Sequence, residues 1–134
     1  MIIIPSEVLW DMVKHAKELA PTEACGLLAG VGDEVTKSYR LTNVDASSEH
    51  FSLDPKEQFA VIKEIRPLGW NVLAVYHSHP ATPARMSQED LRLAFAPDVR
   101  YVIVSLMDSE KPQVKSFTVR EGQPVEEPVL MEEL

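Results

Sequence analysis

Apolar positions along the chain change rhythm several times, and each change predicts an element. Leu9, Met12, Val13, Ala16 and Leu19 share one face at helical spacing, with Ser6 as the expected N-cap and Pro21 as the stop. Cys25 to Gly30 is short, apolar and closed by glycines, which predicts a buried strand turning at Gly30 and Gly32, with residues 35–44 as the returning strand. In Asp54-Pro55-Lys56-Glu57, Asp54 caps a second helix, Pro55 takes its first position and Glu57 can reach back as in a capping box. Phe59, Ile62, Ile65 and Arg66 carry that helix to Pro67. Val72 to Tyr76 is a continuous apolar run, expected to be a strand buried on both faces that feeds directly into His77. After a loop containing Pro80 and Pro83, Ser87-Gln88-Glu89-Asp90 opens a third helix running through Leu91 and Leu93 to Phe95 and stopping before Pro97. Residues 101–107 read as another apolar strand and 114–120 as an alternating one. The tail from Glu121, with five glutamates and two prolines, reads as surface strand or frayed end. Strands alternating with helices predict an α/β fold, a mixed β-sheet flanked by helices. With no repeat, low-complexity tract or linker, residues 1–134 read as a single domain.

Composition narrows the function. A 45% apolar and 25% charged chain of 134 residues is that of a soluble globular protein. Its net charge of −8 argues against nucleic acid and anionic membrane as partners, since phosphate binding needs a basic patch. No apolar run approaches a membrane span, and Met1-Ile2-Ile3-Ile4-Pro5 lacks the basic region and length of a signal peptide. Cys25 is the only cysteine, which rules out an internal disulfide and a four-cysteine zinc site and fits a cytoplasmic location.

The chemistry concentrates in His77-Ser78-His79-Pro80 with Ser87 and Asp90. Two histidines at i and i+2 on a strand point to the same face, roughly 6.5–7 Å apart along the chain. That spacing suits two ligands converging on one ion. Asp90 can return over the loop as a third ligand, leaving the fourth position open, as at catalytic rather than structural zinc. Ser87 and Asp90 also suit a helix N-cap and its capping-box partner, with Met86 and Leu91 as the hydrophobic staple. The two readings are compatible, because a cap orients the first turn and makes Asp90 a rigid ligand.

Other zinc patterns are absent: there is no Cys-x-x-Cys, no His-Glu-x-x-His, and Pro80-Ala81 breaks His-x-His-x-Asp-His. A hydrolytic site also needs a general base. Glu23, just ahead of the Cys25 strand at a sheet end, is the candidate, against the plainer reading of a surface glutamate. Cys25 is expected to be a small buried hydrophobe. His15 and His50 are not expected to be ligands, although His50 could face a substrate groove. Trp10 and Trp70 are expected as core or partly buried anchors.

Glu23 ahead of Ala24-Cys25-Gly26-Leu27-Leu28, then His77-Ser78-His79-Pro80, then Ser87-x-x-Asp90 together resemble the JAMM/MPN metalloprotease motif. The likeness runs over most of the chain, including Phe51-Ser52-Leu53-Asp54-Pro55, which is similar to the segment before the second helix of small bacterial members. It implies an MPN fold (cytidine-deaminase-like) with one Zn2+ per chain on His77, His79 and Asp90. It further implies Glu23 as general acid/base and Ser87 steadying the oxyanion. One departure is Met86, where many relatives carry proline, which puts the placing of Ser87 in question. Family members cut amide or isopeptide bonds after the terminal glycines of ubiquitin and similar proteins. The small bacterial ones are associated with ubiquitin-like sulfur-carrier proteins. The resemblance thus implies a zinc peptidase or isopeptidase acting on such a carrier. The alternatives are a non-catalytic binding module for a carrier tail and a hydrolase of small amides.

Overall fold

The computed structural model of the chain describes residues 1–94 and 98–133. The elements are β1 (Ile2–Pro5), α1 (Ser6–Leu19), β2 (Cys25–Val31), β3 (Glu34–Leu41), α2 (Pro55–Ile65), β4 (Asn71–His79), α3 (Gln88–Leu93), β5 (Arg100–Ser105), β6 (Gln113–Arg120), β7 (Gln123–Glu127) and β8 (Val129–Glu132). Among the described residues eight strands form one sheet in the order β7-β6-β5-β4-β2-β3-β1-β8. It is mixed: β4 runs parallel to β5, and β1 parallel to both β3 and β8, while the remaining neighbours are antiparallel.

Strand alternation divides the core. Leu28 faces α1 and joins Met12, Val13, Ala16, Ile2, Ile4 and Tyr76. Its neighbours Leu27 and Ala29 face the other way, onto Val61 and Ile65 of α2. A third cluster of Met86, Ile103, Tyr101 and Phe117, with Leu91 of α3 packed against it, shares Val75 with the α2 side. The α1 helix therefore covers one face of the sheet, and α2 and α3 cover the other. Gly26 lies in the middle of this packing. A Cβ there would sit 2.3 Å from both the Tyr39 carbonyl oxygen and the Tyr76 ring, so only glycine lets these groups approach.

Several expectations hold in detail. Asp54 caps α2 by accepting from the Lys56 amide, a contribution of about 1 kcal/mol, and Pro55 opens the helix. The tail is surface strand at both borders of the sheet. Other expectations are corrected. Ser6 is not the N-cap of α1: Pro5 holds that position, because β1 runs straight into the helix and its extended backbone ends there. Within α1, Val8, Met12, Val13, His15 and Ala16 are buried, while Leu19 and Trp10 are exposed. Trp70 is partly buried, as expected. Glu57 does not close a capping box; its carboxylate instead accepts from the amide and hydroxyl of Thr42, tying α2 to the end of β3. On α2 the buried residues are Val61 and Ile65, whereas Phe59 and Ile62 face solvent, since only a narrow stripe of this helix meets the sheet. The β3 strand stops at Leu41, short of Val44. The β1 strand had no sequence signal of its own, being four residues long and lacking alternation. The expected run of the third helix to Phe95 and its stop before Pro97 lie outside the described residues.

Candidate metal centre

The centre is built where β4 ends. His77 and His79 project to the α2/α3 face, as their i, i+2 spacing requires, while Ser78 between them points the other way and binds the strand beside it. Ser78 Oγ accepts from the Ala24 amide at 2.7 Å, and the Ser78 amide donates to the Ala24 carbonyl at 2.9 Å. Cys25 pairs in register with His77, and Glu23, two residues before it, lies close enough to the site to feel the charges of His79 and Asp90.

Asp90 arrives from α3. Ser87 is the N-cap and the capping box is complete: Ser87 Oγ accepts from the Asp90 amide at 3.0 Å, and Asp90 Oδ2 accepts from the Ser87 amide at 2.9 Å. Met86 is buried against Tyr101, Ile103 and Phe117, and this packing fixes the approach to Ser87 without a proline. The preceding loop is pinned as well, with Ser105 Oγ donating to the Thr82 carbonyl at 2.6 Å.

Three ligand-type atoms converge. His77 Nε2 lies 3.1 Å from His79 Nε2, His79 Nε2 lies 3.1 Å from Asp90 Oδ2, and His77 Nε2 lies 3.2 Å from Asp90 Oδ2. Tetrahedral zinc with bonds of about 2.0–2.1 Å places neighbouring ligand atoms about 3.3 Å apart, so this triangle is close to one face of such a tetrahedron. His79 Nδ1–H donates to the Pro83 carbonyl at 2.9 Å, which leaves the lone pair on Nε2 and orients the ring, the usual support of a metal-ligating histidine. The three side chains are buried. The donor set and its spacing fit a single zinc ion with one open position.

That constellation and the sheet that carries it coincide with a known family. Residues 5–120 match the model described as prokaryotic homologs of the JAB domain. The chain belongs to this family. It is 35% identical over 131 residues to the CysO-cysteine peptidase of Mycobacterium tuberculosis, covering 96% of this chain and 90% of that protein. It is also 35% identical over 102 residues to the desampylase of Haloferax volcanii, covering 71% and 73% of the two chains. Among solved structures, a protein from Desulfitobacterium hafniense superposes with a TM-score of 0.92 at 46% identity, covering 100% of this chain and 94% of that one.

Each residue of this JAB domain's centre meets a different electrostatic environment. Burial is the main influence on His77 and pushes its pKa down, with Asp90 opposing, which favours the neutral form of the ring. Burial works against a charged His79, but its bonds to Asp90 and Pro83 and the nearby carboxylates outweigh it and raise that pKa. Burial would raise Asp90, yet hydrogen bonds from both histidines, the charge of His77 and the Ser87 amide hold it well below the usual carboxylate range. Glu23 behaves oppositely. It is only 3% exposed, its Oε1 has no hydrogen-bond partner, and burial pushes its pKa up to about 7, with His79 opposing and Asp90 and Glu49 adding to the rise. A carboxyl poised near neutrality can take up and release a proton.

Glu23 should leave a signature in the metal-free protein. Its folded pKa of about 7 lies above its ordinary value of 4.5, so the fold prefers the protonated form. The corresponding stability is complete below pH 4.5 and is lost as pH rises through 7, an effect of about 3 kcal/mol. Urea unfolding of parent and Glu23→Gln should therefore agree at pH 4 and diverge by pH 8, with the glutamine variant the more stable. A pH-independent difference would reject the shift.

Cys25 is inert: burial pushes its thiol up to about 12, and Sγ faces the Leu41 carbonyl. The Nδ1 of His15 hydrogen-bonds the Tyr76 hydroxyl at 2.7 Å. His50 lines a narrow cleft over the centre together with Phe51, His77, Glu89, Asp90 and Tyr101. Phe51 and Tyr101 also line an adjoining apolar groove with Leu27, Leu53 and Val75. Sequence reasoning passed over the roles of Ser78 and Phe51. The Phe51 ring stacks on His77 with centroids 4.5 Å apart. Alternation within His-x-His was the available signal for Ser78; nothing local marks Phe51.

Proposed function

We propose that the chain is a zinc-dependent peptidase that hydrolyses the amide bond after the C-terminal Gly-Gly of a ubiquitin-like sulfur-carrier protein. The observation that carries this reading is the His77–His79–Asp90 triangle with the buried carboxyl of Glu23, its Oε1 without a hydrogen-bond partner, beside it. The relatives named CysO-cysteine peptidase and desampylase support the substrate class. A narrow cleft suits a tail whose last residues lack side chains.

Zinc on these three ligands would polarise the scissile carbonyl and acidify the attacking water. Glu23 takes the proton from that water and returns it to the leaving amine. The Ser87 hydroxyl accepts from the Asp90 amide through its oxygen, which leaves its own O–H free to donate to the developing oxyanion. A full set of acid/base, oxyanion and ligand groups argues against a binding module, for which an unpaired buried carboxyl would be a cost without return. We take residues 1–134 as one functional unit, because β8 pairs with β1. No described helix is long and apolar enough to cross a membrane, and a cytoplasmic site of action is part of the same reading.

The test is to incubate zinc-loaded protein with a carrier bearing an amino acid or peptide on its terminal glycine, and to follow intact mass. The expected product is the carrier ending in Gly-Gly plus the free amine. Intact conjugates of every kind, in the presence of protein carrying one zinc, would overturn the reading.

A further inference from the structure

Glu23 stands outside the hydrogen-bond ladder, since β2 begins only at Cys25. Something other than the sheet must hold its backbone. Its amide donates to the Ser47 carbonyl at 2.8 Å, and its carbonyl accepts from Asn43 Nδ2 at 3.1 Å. Both partners belong to the segment that follows β3.

Asn43 organises that segment. It is 6% exposed and uses the full capacity of a primary amide, two donors and two acceptor sites. Nδ2 donates to the carbonyls of Glu23 and His50, the latter at 3.0 Å, while Oδ1 accepts from the amides of Asp45 at 3.1 Å and Ser52 at 3.2 Å. The segment is closed further by Val44 N–H to the Ser52 carbonyl and by Asp45 Oδ2, which accepts from His50 Nδ1 and Ser52 Oγ. Phe51, carried on this closed segment, stacks on His77. One side chain thus joins the residue bearing the acid/base carboxyl to the loop that covers a metal ligand.

We propose that Asn43 is a positioning residue for the reaction, its amide locking Glu23 and the 45–53 segment into one unit over the centre; the inference rests on the peptidase reading above. Asn43 hydrogen-bonds none of His77, His79 or Asp90, and these ligands are held by β4 and α3. Its loss should therefore misplace the acid/base group and spare the metal.

The test compares Asn43→Ala with Asp45→Ala, using amide exchange by NMR, zinc affinity and steady-state kinetics on a carrier conjugate. In Asn43→Ala the amides of Glu23, Asp45 and Ser52 should exchange at least about tenfold faster, while that of Ser78 is unchanged. Zinc affinity should stay within about threefold. kcat should fall about 10²-fold with KM little changed, the size expected when a reacting group is misplaced by about an ångström. Asp45→Ala frees the His50 and Ser52 side chains but leaves the bond from Asn43 to Glu23, so Glu23 protection and kcat should both persist. If Asn43→Ala does not fold, Asn43→Asp, which retains the two acceptor bonds and loses the donations, is judged by the same criteria. The inference is overturned by unchanged Glu23 exchange, by zinc loss that accounts for the fall in kcat, or by an equal fall in Asp45→Ala. A zinc-loaded parent with no activity would reject the peptidase reading instead. The exchange data would then decide alone whether Asn43 holds Glu23.

Discussion

Glu23→Gln is expected to keep one zinc ion per chain and to lose about 10²–10⁴-fold in kcat, with KM nearly unchanged. The substitution preserves shape and one acceptor oxygen but cannot take up a proton. In the parent, the buried carboxyl with its unpaired Oε1 and a pKa raised to about 7 can exist in both protonation states near neutrality, as a group that first accepts and then donates must. Because Glu23 is not one of the three converging ligands, metal content should not follow activity. Elemental analysis and release of the amine from a carrier conjugate, measured on the same sample, separate the two. Turnover at the parent rate would remove Glu23 from the mechanism.

Asp90→Ala is expected to reduce bound zinc from about one ion per chain to a small fraction, and activity with it. Asp90 supplies the anionic member of the triangle, and its Oδ2 also accepts from the Ser87 amide. Removing it leaves two imidazoles 3.1 Å apart with no carboxylate between them and opens the capping box, costing about 1 kcal/mol of local stability. Asp90→Asn separates the two roles. Its amide oxygen can still accept from Ser87, so α3 should persist, while loss of the charge should weaken zinc by about 10–100-fold or more. Full zinc occupancy in Asp90→Ala after purification without chelator would mean that the ion sits elsewhere.

The parts of the site that were legible in the sequence are those governed by local periodicity. A strand sends His77 and His79 to one face whatever it packs against, and Ser-x-x-Asp closes a helix cap from its own backbone geometry. The capping box and the strand leading into His77 both follow from such short-range rules. Expectations failed where a neighbouring element competed. Glu57 was free to close its own helix but bonded Thr42 instead, and Ser6 lost the cap position because β1 abuts α1. The apolar face of α2 was misplaced because Phe59 fits the periodicity yet has no sheet beneath it.

By itself the sequence determined the donor types, their spacing within residues 77–90, and the alternation of strands and helices. Only the tertiary structure decided that Glu23 lies beside those donors, because Ala24 and Ser78 are 54 residues apart and meet through the register of β2 on β4. The structure likewise decided that Asn43 would spend all four hydrogen-bonding positions on that junction, and that Phe51 would cover His77. It also placed the chain's first and last strands side by side. The physical reason is that periodicity specifies which face a residue takes, whereas which strands pair, and in what register, depends on burying both faces of the sheet at once.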